Sequence, residues 1–213
     1  MNVIQAIQKR RSIRKYTNKP LDYESLIMIM EAGFRAPSTG DVKDYRFILI
    51  TNPDRIKEIG NHCQEQYWIQ QAPAIIAICS DLKNTKEYYP KKAKEFAKSN
   101  AHAATQNILL AATEMKLGSC WVAYYDEKKI KEILKIGDNE LQAIVTLGHS
   151  DEIPKKNPEP NLAQYIFFED YGNQIRDVDA EMKYYSQKIE KLNQATGTAF
   201  ERTIKKIKQY FEK

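Results

Sequence analysis

The chain has 213 residues, with 33 Lys and Arg against 28 Asp and Glu, giving a formal net charge of +5 when its three His are neutral. The surplus is uneven: residues 1–19 carry six bases and no acid, residues 179–213 are net +3, and the body between them is net −4. An acidic body excludes a protein that coats nucleic acid with its whole surface, so an anionic partner is sought at the two ends. In chain order, Val3, Ile4 and Ile7 recur at helical spacing and predict a short helix ahead of the basic run. Leu26, Ile27, Met30 and Ala32 predict a second helix that stops before Pro37. Arg46–Thr51 reads as a buried strand, closed by the turn signal Asn52-Pro53-Asp54 and followed by a helix to Gln66. Pro73 opens a second strand over Ala74–Ser80, and the polar segment Asp81–Pro90 reads as an excursion that covers a site.

From Lys91 to Lys116 the pattern is helical and alanine-rich, with Ala97, Ala101, Ala104, Ile108, Ala111 and Ala112 along one face where another helix can approach closely, at a subunit contact among other possibilities. Gly118 is expected to end that helix in a left-handed cap. Ser119–Tyr125 reads as a third strand, Glu127–Lys135 as a helix and Gln142–Gly148 as a fourth strand. A Pro-rich loop follows over Ile153–Pro160, and residues 179–194 and 198–212 read as two amphipathic helices divided at Thr196-Gly197-Thr198. The length suits one domain with an extension.

The longest apolar stretches fall far below the ~18 residues that span a bilayer, so no membrane partner is expected. The N-terminus lacks a basic segment before an apolar one, and a cytoplasmic location is the expectation. Cys63, Cys79 and Cys120 are scattered with no Cys-x-x-Cys, which reads as small buried groups and not as a disulfide or zinc framework. His62, His102 and His149 form no helical metal pair. All eight Gly are isolated, so no Gly-rich phosphate loop can be written, and no Gly-x-Ser-x-Gly elbow exists for acyl transfer. Any phosphate must therefore be held by side chains.

Arg10-Arg11-Ser12-Ile13-Arg14 gathers three guanidinium groups and a hydroxyl into five residues just after a helix. Planar Arg donors match phosphate oxygens, so the run suits a monophosphate clamp; a solvated basic surface is the other reading. Ala36-Pro37-Ser38-Thr39-Gly40-Asp41 follows a helix and precedes a strand, and Leu117-Gly118-Ser119-Cys120-Trp121-Val122-Ala123 joins a long helix to another strand. Leu147-Gly148-His149-Ser150-Asp151-Glu152-Ile153-Pro154-Lys155-Lys156 closes the series.

These four elements, in this order, resemble the nitroreductase family of FMN-dependent oxidoreductases over roughly residues 2–160. The resemblance implies an α+β fold with a central mixed β-sheet flanked by helices, assembled as an intertwined homodimer with two FMN sites at the subunit interface. An FMN-binding domain is expected over residues 1–170, and the basic amphipathic residues 171–213 read as a C-terminal helical extension that packs on the partner subunit, with a separate binding function as the other reading. Arg10, Arg11, Ser12 and Arg14 match the run that grips the FMN phosphate and ribityl chain, and Lys156, with Lys155 as its near substitute, matches a late basic residue on the same phosphate. Pro37, Ser38 and Thr39 match the loop that the partner lays against the flavin. Trp121, Ala123 and Tyr124 match the strand end beneath the isoalloxazine, where main-chain groups approach N5.

One departure stands out: this chain has Asp41 where the family loop usually presents Asn, and Lys43 where it presents Gln. An amide donates and accepts, whereas an ionised carboxylate only accepts, so Asp41 opposes negative charge on a reduced flavin and Lys43 offsets it.

The implied activity passes hydride from NADH or NADPH through FMN N5 to a nitroaromatic or quinone-like small-molecule acceptor by a two-step exchange. No catalytic side chain is needed, because the cofactor carries the reactivity. Tyr88, Tyr89 and Phe96 are candidates to stack on an aromatic acceptor, with ordinary core or surface packing as the alternative. Two other readings stay open: a specialised flavoenzyme of the same fold, either a reductive dehalogenase or a flavin-fragmenting enzyme, and a non-enzymatic anion-binding module. The aromatics are not interleaved with Arg10–Arg14 as a single-strand nucleic-acid platform requires, and no nucleic-acid partner is expected.

Overall fold

The computed structural model describes residues 1–155, 158, 160, 161, 164–167 and 169–174. The chain divides into two units, Met1–Lys155 and Lys156–Lys213. The two amphipathic helices expected over 179–212 lie outside the described residues, as does Lys156.

In the first unit, helix α1 (Val3–Lys9) opens on a capping box: the Asn2 side chain accepts from Gln5 N at 2.9 Å, and Gln5 Oε1 accepts from Asn2 N at 3.1 Å. Helix α2 (Tyr23–Phe34) is capped by Asp22 and strand β1 spans Tyr45–Ile50. Helix α3 (Pro53–Asn61) starts on an Asn52 cap with proline in its first turn, and strand β2 is Ala74–Ser80. Helices α4 (Leu82–Tyr88) and α5 (Ala93–Glu114) follow, then strand β3 (Gly118–Val122), helix α6 (Glu127–Leu134) and strand β4 (Glu140–Gly148).

Three local expectations are corrected. Helix α3 stops at Asn61 and not at Gln66, because Gln64 and Glu65 take left-handed φ of 51° and 60°, which a continuing helix cannot absorb. The excursion after β2 carries a helix for which no element is expected: Asp81 caps α4 by accepting from Lys83 N, with Leu82 and Thr85 buried. After α5 the left-handed residue is Lys116 (φ 61°), and Gly118 already belongs to β3.

The four strands form one sheet in the order β1-β2-β4-β3 with every pair antiparallel. The free edge of β3 adds a parallel bridge, Ser12 to Ser119, so the sheet is mixed through the N-terminal segment. Strand β2 is buried on both faces, and its alternating side chains feed two cores. Ile76 and Ile78, with Ala143, Val145 and Leu147 of β4, pack against the alanine face of α5. Ile75 and Ala77, with Val122 and Ile144, pack against Ile56 and Ile59 of α3 and Ile130 of α6. Each fully buried Ile contributes ~1.5–3 kcal/mol relative to exposure, so this two-sided burial dominates the fold's stability. The α+β architecture with helices on both faces of a central sheet is as expected.

Candidate FMN site

Helix α1 ends at Arg10, and the chain continues extended along the outer edge of β3, where Ile13 N donates to Ser119 O at 3.0 Å. Burial anchors this segment: Ile13 and Tyr16 are core residues, and the Tyr16 hydroxyl donates to Ile13 O and meets Thr146 Oγ1, both at 2.7 Å. Burial also raises the Tyr16 pKa well above the ordinary phenol value. Arg10, Arg11 and Ser12 are half-buried and Arg14 is exposed. Arg11 turns back on its own helix, its Nη1 donating to Gln8 O at 2.8 Å and Arg10 O at 2.7 Å. Arg14 lies over the Trp68 ring at 5.7 Å. Among the described residues no carboxylate forms an ion pair with Arg10, Arg11 or Arg14. Burial raises the Cys120 thiol pKa, while Arg14, a hydrogen bond with Ser12, and Arg10 pull it the other way.

The stretch after β4 closes on the same segment. Thr17 N donates to His149 O at 2.9 Å and Asp151 N to Lys15 O at 3.0 Å, with an antiparallel bridge between Tyr16 and Ser150. Glu152 Oε1 accepts from Arg14 N at 2.5 Å and Lys15 N at 3.2 Å. Sequence reasoning missed this acid, which is 138 residues from Arg14 in the chain and carries no local signal. Lys155 is exposed. The N-terminal run, the β3 motif and the Leu147–Glu152 motif therefore come together at one edge of the sheet.

The fourth motif does not join them in one chain. Pro37–Asp41 leads into β1, at the opposite edge of the sheet. Four strand spacings separate β1 from the segment beyond β3, roughly 19 Å. The loop is held from below: Asn100 Oδ1 of α5 accepts from Thr39 N at 2.8 Å and Thr39 Oγ1 at 3.2 Å, and Lys43 N donates to Ser38 Oγ at 3.0 Å. Gly40, Asp41 and Lys43 take left-handed φ of 61°, 53° and 47°. Asp41 is exposed and pairs with Lys43 Nζ at 2.8 Å, and that hydrogen bond raises the Lys43 pKa.

At the end of β3, Trp121 is half-buried with its indole Nε1 buried and unpartnered, and Ala123 and Tyr124 are exposed. The His102 ring of α5 meets Trp121 edge-on at 4.9 Å, and desolvation, followed by Lys98, lowers the His102 pKa. Gln66 Nε2 donates to Tyr124 O at 2.9 Å and pins the strand end. Tyr89 packs edge-on against Phe96 at 5.1 Å, while Tyr88 is exposed.

The donor set fits a phosphate monoester: the Arg10 and Arg14 guanidinium groups, without acid partners among the described residues and beside the Ser12 hydroxyl, offer charge-assisted donors from one strand edge. The buried and unpartnered Ser119 Oγ and Trp121 Nε1 leave further polar capacity on β3. Among the described residues no three His, Cys, Asp or Glu side chains gather to hold a metal, and no helix is long and apolar enough to cross a membrane.

A central sheet between helices, with Arg10, Arg11 and Arg14 along one strand edge, defines an α+β domain whose edge offers cationic donors. The chain belongs to the nitroreductase family, whose model matches residues 7–74 and 65–149. The structure of a nitroreductase family protein from Clostridium novyi is 27% identical at a TM-score of 0.65, covering 82% of this chain and 97% of that one. An FMN-dependent nitroreductase from Clostridium difficile is also 27% identical, at a TM-score of 0.69, covering 79% and 99%. The NADPH-flavin oxidoreductase of Vibrio harveyi is 24% identical over 198 residues, 89% of this chain and 81% of that protein.

Proposed function

We propose that the chain is an NAD(P)H-dependent FMN oxidoreductase working as a cytoplasmic homodimer, with a nitroaromatic or quinone-like compound as electron acceptor. The carrying observation is the pair of guanidinium groups, Arg10 and Arg14, that find no acid partner among the described residues and flank Ser12 on the free edge of β3. These three groups hold the FMN phosphate, assisted by Arg11 and Lys155. Bound FMN supplies the hydride-accepting and hydride-donating chemistry at N5. Main-chain groups of Trp121, Ala123 and Tyr124 would support its ring.

The loop Pro37, Ser38, Thr39 and Asp41 reaches the flavin from the second copy. Its place at the far edge of the sheet supports this reading, because one chain does not bring the loop to its own arginines. The side chains would orient the bound groups and exclude water, with no acid–base work required of them. The family membership and the activities of the named relatives support the reaction class.

The test is purification and spectroscopy. A yellow protein that releases FMN on denaturation, and that oxidises NADH or NADPH with a nitroaromatic or quinone, is the expected result. A colourless protein that also takes up no added FMN would overturn the proposal.

A further inference from the structure

Asp44 is 2% exposed, and its carboxylate lies outside the phosphate clamp. Its two oxygens are both used: Oδ1 accepts from Asn100 Nδ2 at 3.1 Å and Oδ2 from Thr85 Oγ1 at 2.6 Å. Its main-chain oxygen accepts from Asp81 N at 2.8 Å, so one residue ties β1 to the start of α4 and to the middle of α5. Asn100 is 3% exposed and has one amide to orient. A carboxylate only accepts, so Asp44 obliges Asn100 to turn its NH2 inward and its oxygen outward. That oxygen is the one that receives both donors of Thr39.

The loop beyond Thr39 needs such a restraint. Left-handed backbone at Asp41 and Lys43 is unfavourable for residues with a Cβ and persists only where surroundings over-determine it. Gly40 is also confined, since a Cβ there would stand 2.6 Å from the Tyr89 hydroxyl.

We infer that Asp44 is a positioning residue that acts through Asn100 to hold Thr39, and so sets the pose of the Pro37–Asp41 loop toward the flavin of the second copy. The inference rests on the proposed function for what the loop meets; the network itself is independent of it.

The experiment exchanges the two polar groups. Asn100→Asp sets two carboxylates against each other and removes the donor to Asp44. The double variant Asp44→Asn with Asn100→Asp restores every bond and reverses the polarity only of the one between positions 44 and 100. The amide now at position 44 donates to the carboxylate at position 100, Thr85 still donates to position 44, and position 100 still accepts from Thr39. Three quantities are read on dimers checked for folding: hydrogen exchange at the Thr39 amide without cofactor, FMN affinity, and the absorption envelope of the bound flavin. Asn100→Asp is expected to speed Thr39 exchange and weaken FMN binding by at least tenfold each and to shift the envelope, and the double variant to return all three to wild type. Where Asn100→Asp does not fold, Asn100→Ala takes its place with the same expected losses.

A lowered melting temperature with Thr39 exchange, FMN affinity and envelope unchanged would overturn the inference. So would a double variant that regains thermal stability but not FMN affinity. A wild-type chain that binds no FMN sinks the functional reading and the inference together, whereas wild-type binding with an indifferent Asn100→Asp sinks the inference alone.

Discussion

Ile13 fills the space that a side chain at residue 118 would need: its Cγ2 stands 2.8 Å from where a Gly118 Cβ would lie. This contact lets the N-terminal segment lie flat on β3 and carries Arg10 and Arg14 with it. Gly118→Ala should push that segment off the strand. The expected loss is about 1–3 kcal/mol of stability from overpacking. Urea unfolding measures it, and FMN titration should show weaker binding in the same variant.

The Arg10→Ala, Arg14→Ala double variant tests the phosphate assignment. At about 1 kcal/mol for each solvent-screened, charge-assisted contact, FMN should bind roughly thirtyfold more weakly. Arg11→Ala should weaken binding less, because Arg11 Nη1 already serves the carbonyls of Gln8 and Arg10. Fluorescence titration of the apoprotein separates the two. Equal affinity of wild type and double variant would contradict the clamp.

The Asp41 and Lys43 pair makes a prediction about potential. Asp41→Asn removes a negative charge and leaves Lys43 unneutralised, so the flavin midpoint potential should rise. Lys43→Gln should lower it. Dye-equilibration titrations at fixed pH give both values, and unchanged potentials in both variants would place the loop away from the ring.

Burial pushes the Cys63 and Cys79 thiols up to about 12 from an ordinary value of 9.0. Between those values the unfolded chain has released protons that the folded chain keeps, so stability falls as pH rises from 9 to 12. Below the lower value the contribution is fully present. Tyr16 and Tyr125, also raised chiefly by burial, act in the same direction. Urea midpoints should therefore decline from pH 9 upward, and native Cys63 and Cys79 should resist a thiol reagent at pH 8 until the protein is unfolded.

Local patterns were readable where one property dominates a stretch. The apolar run Ala74–Ser80 makes β2, and alanines at helical spacing make the buried face of α5. The polar helix α4 was not readable, because only Leu82 and Thr85 of its seven residues are buried and its apolar pattern is too sparse. The early stop of α3 was hidden too: nothing in Gln64 or Glu65 announces left-handed backbone, which the turn carrying the buried Cys63 requires.

The sequence by itself determined the strands, the helices with a strong apolar period and the chemistry of the basic run, since helical periodicity, strand composition and guanidinium donors are properties of neighbouring residues. Only the tertiary structure decided the strand order, the closure of Glu152 on Arg14 and Lys15, and the separation of Pro37–Asp41 from the arginines. It also decided that Asp44 is buried: beside Tyr45, an acid paired from the distant Thr85 and Asn100 reads like any surface acid. These are long-range pairings, set by which apolar faces bury together, and no local pattern encodes them.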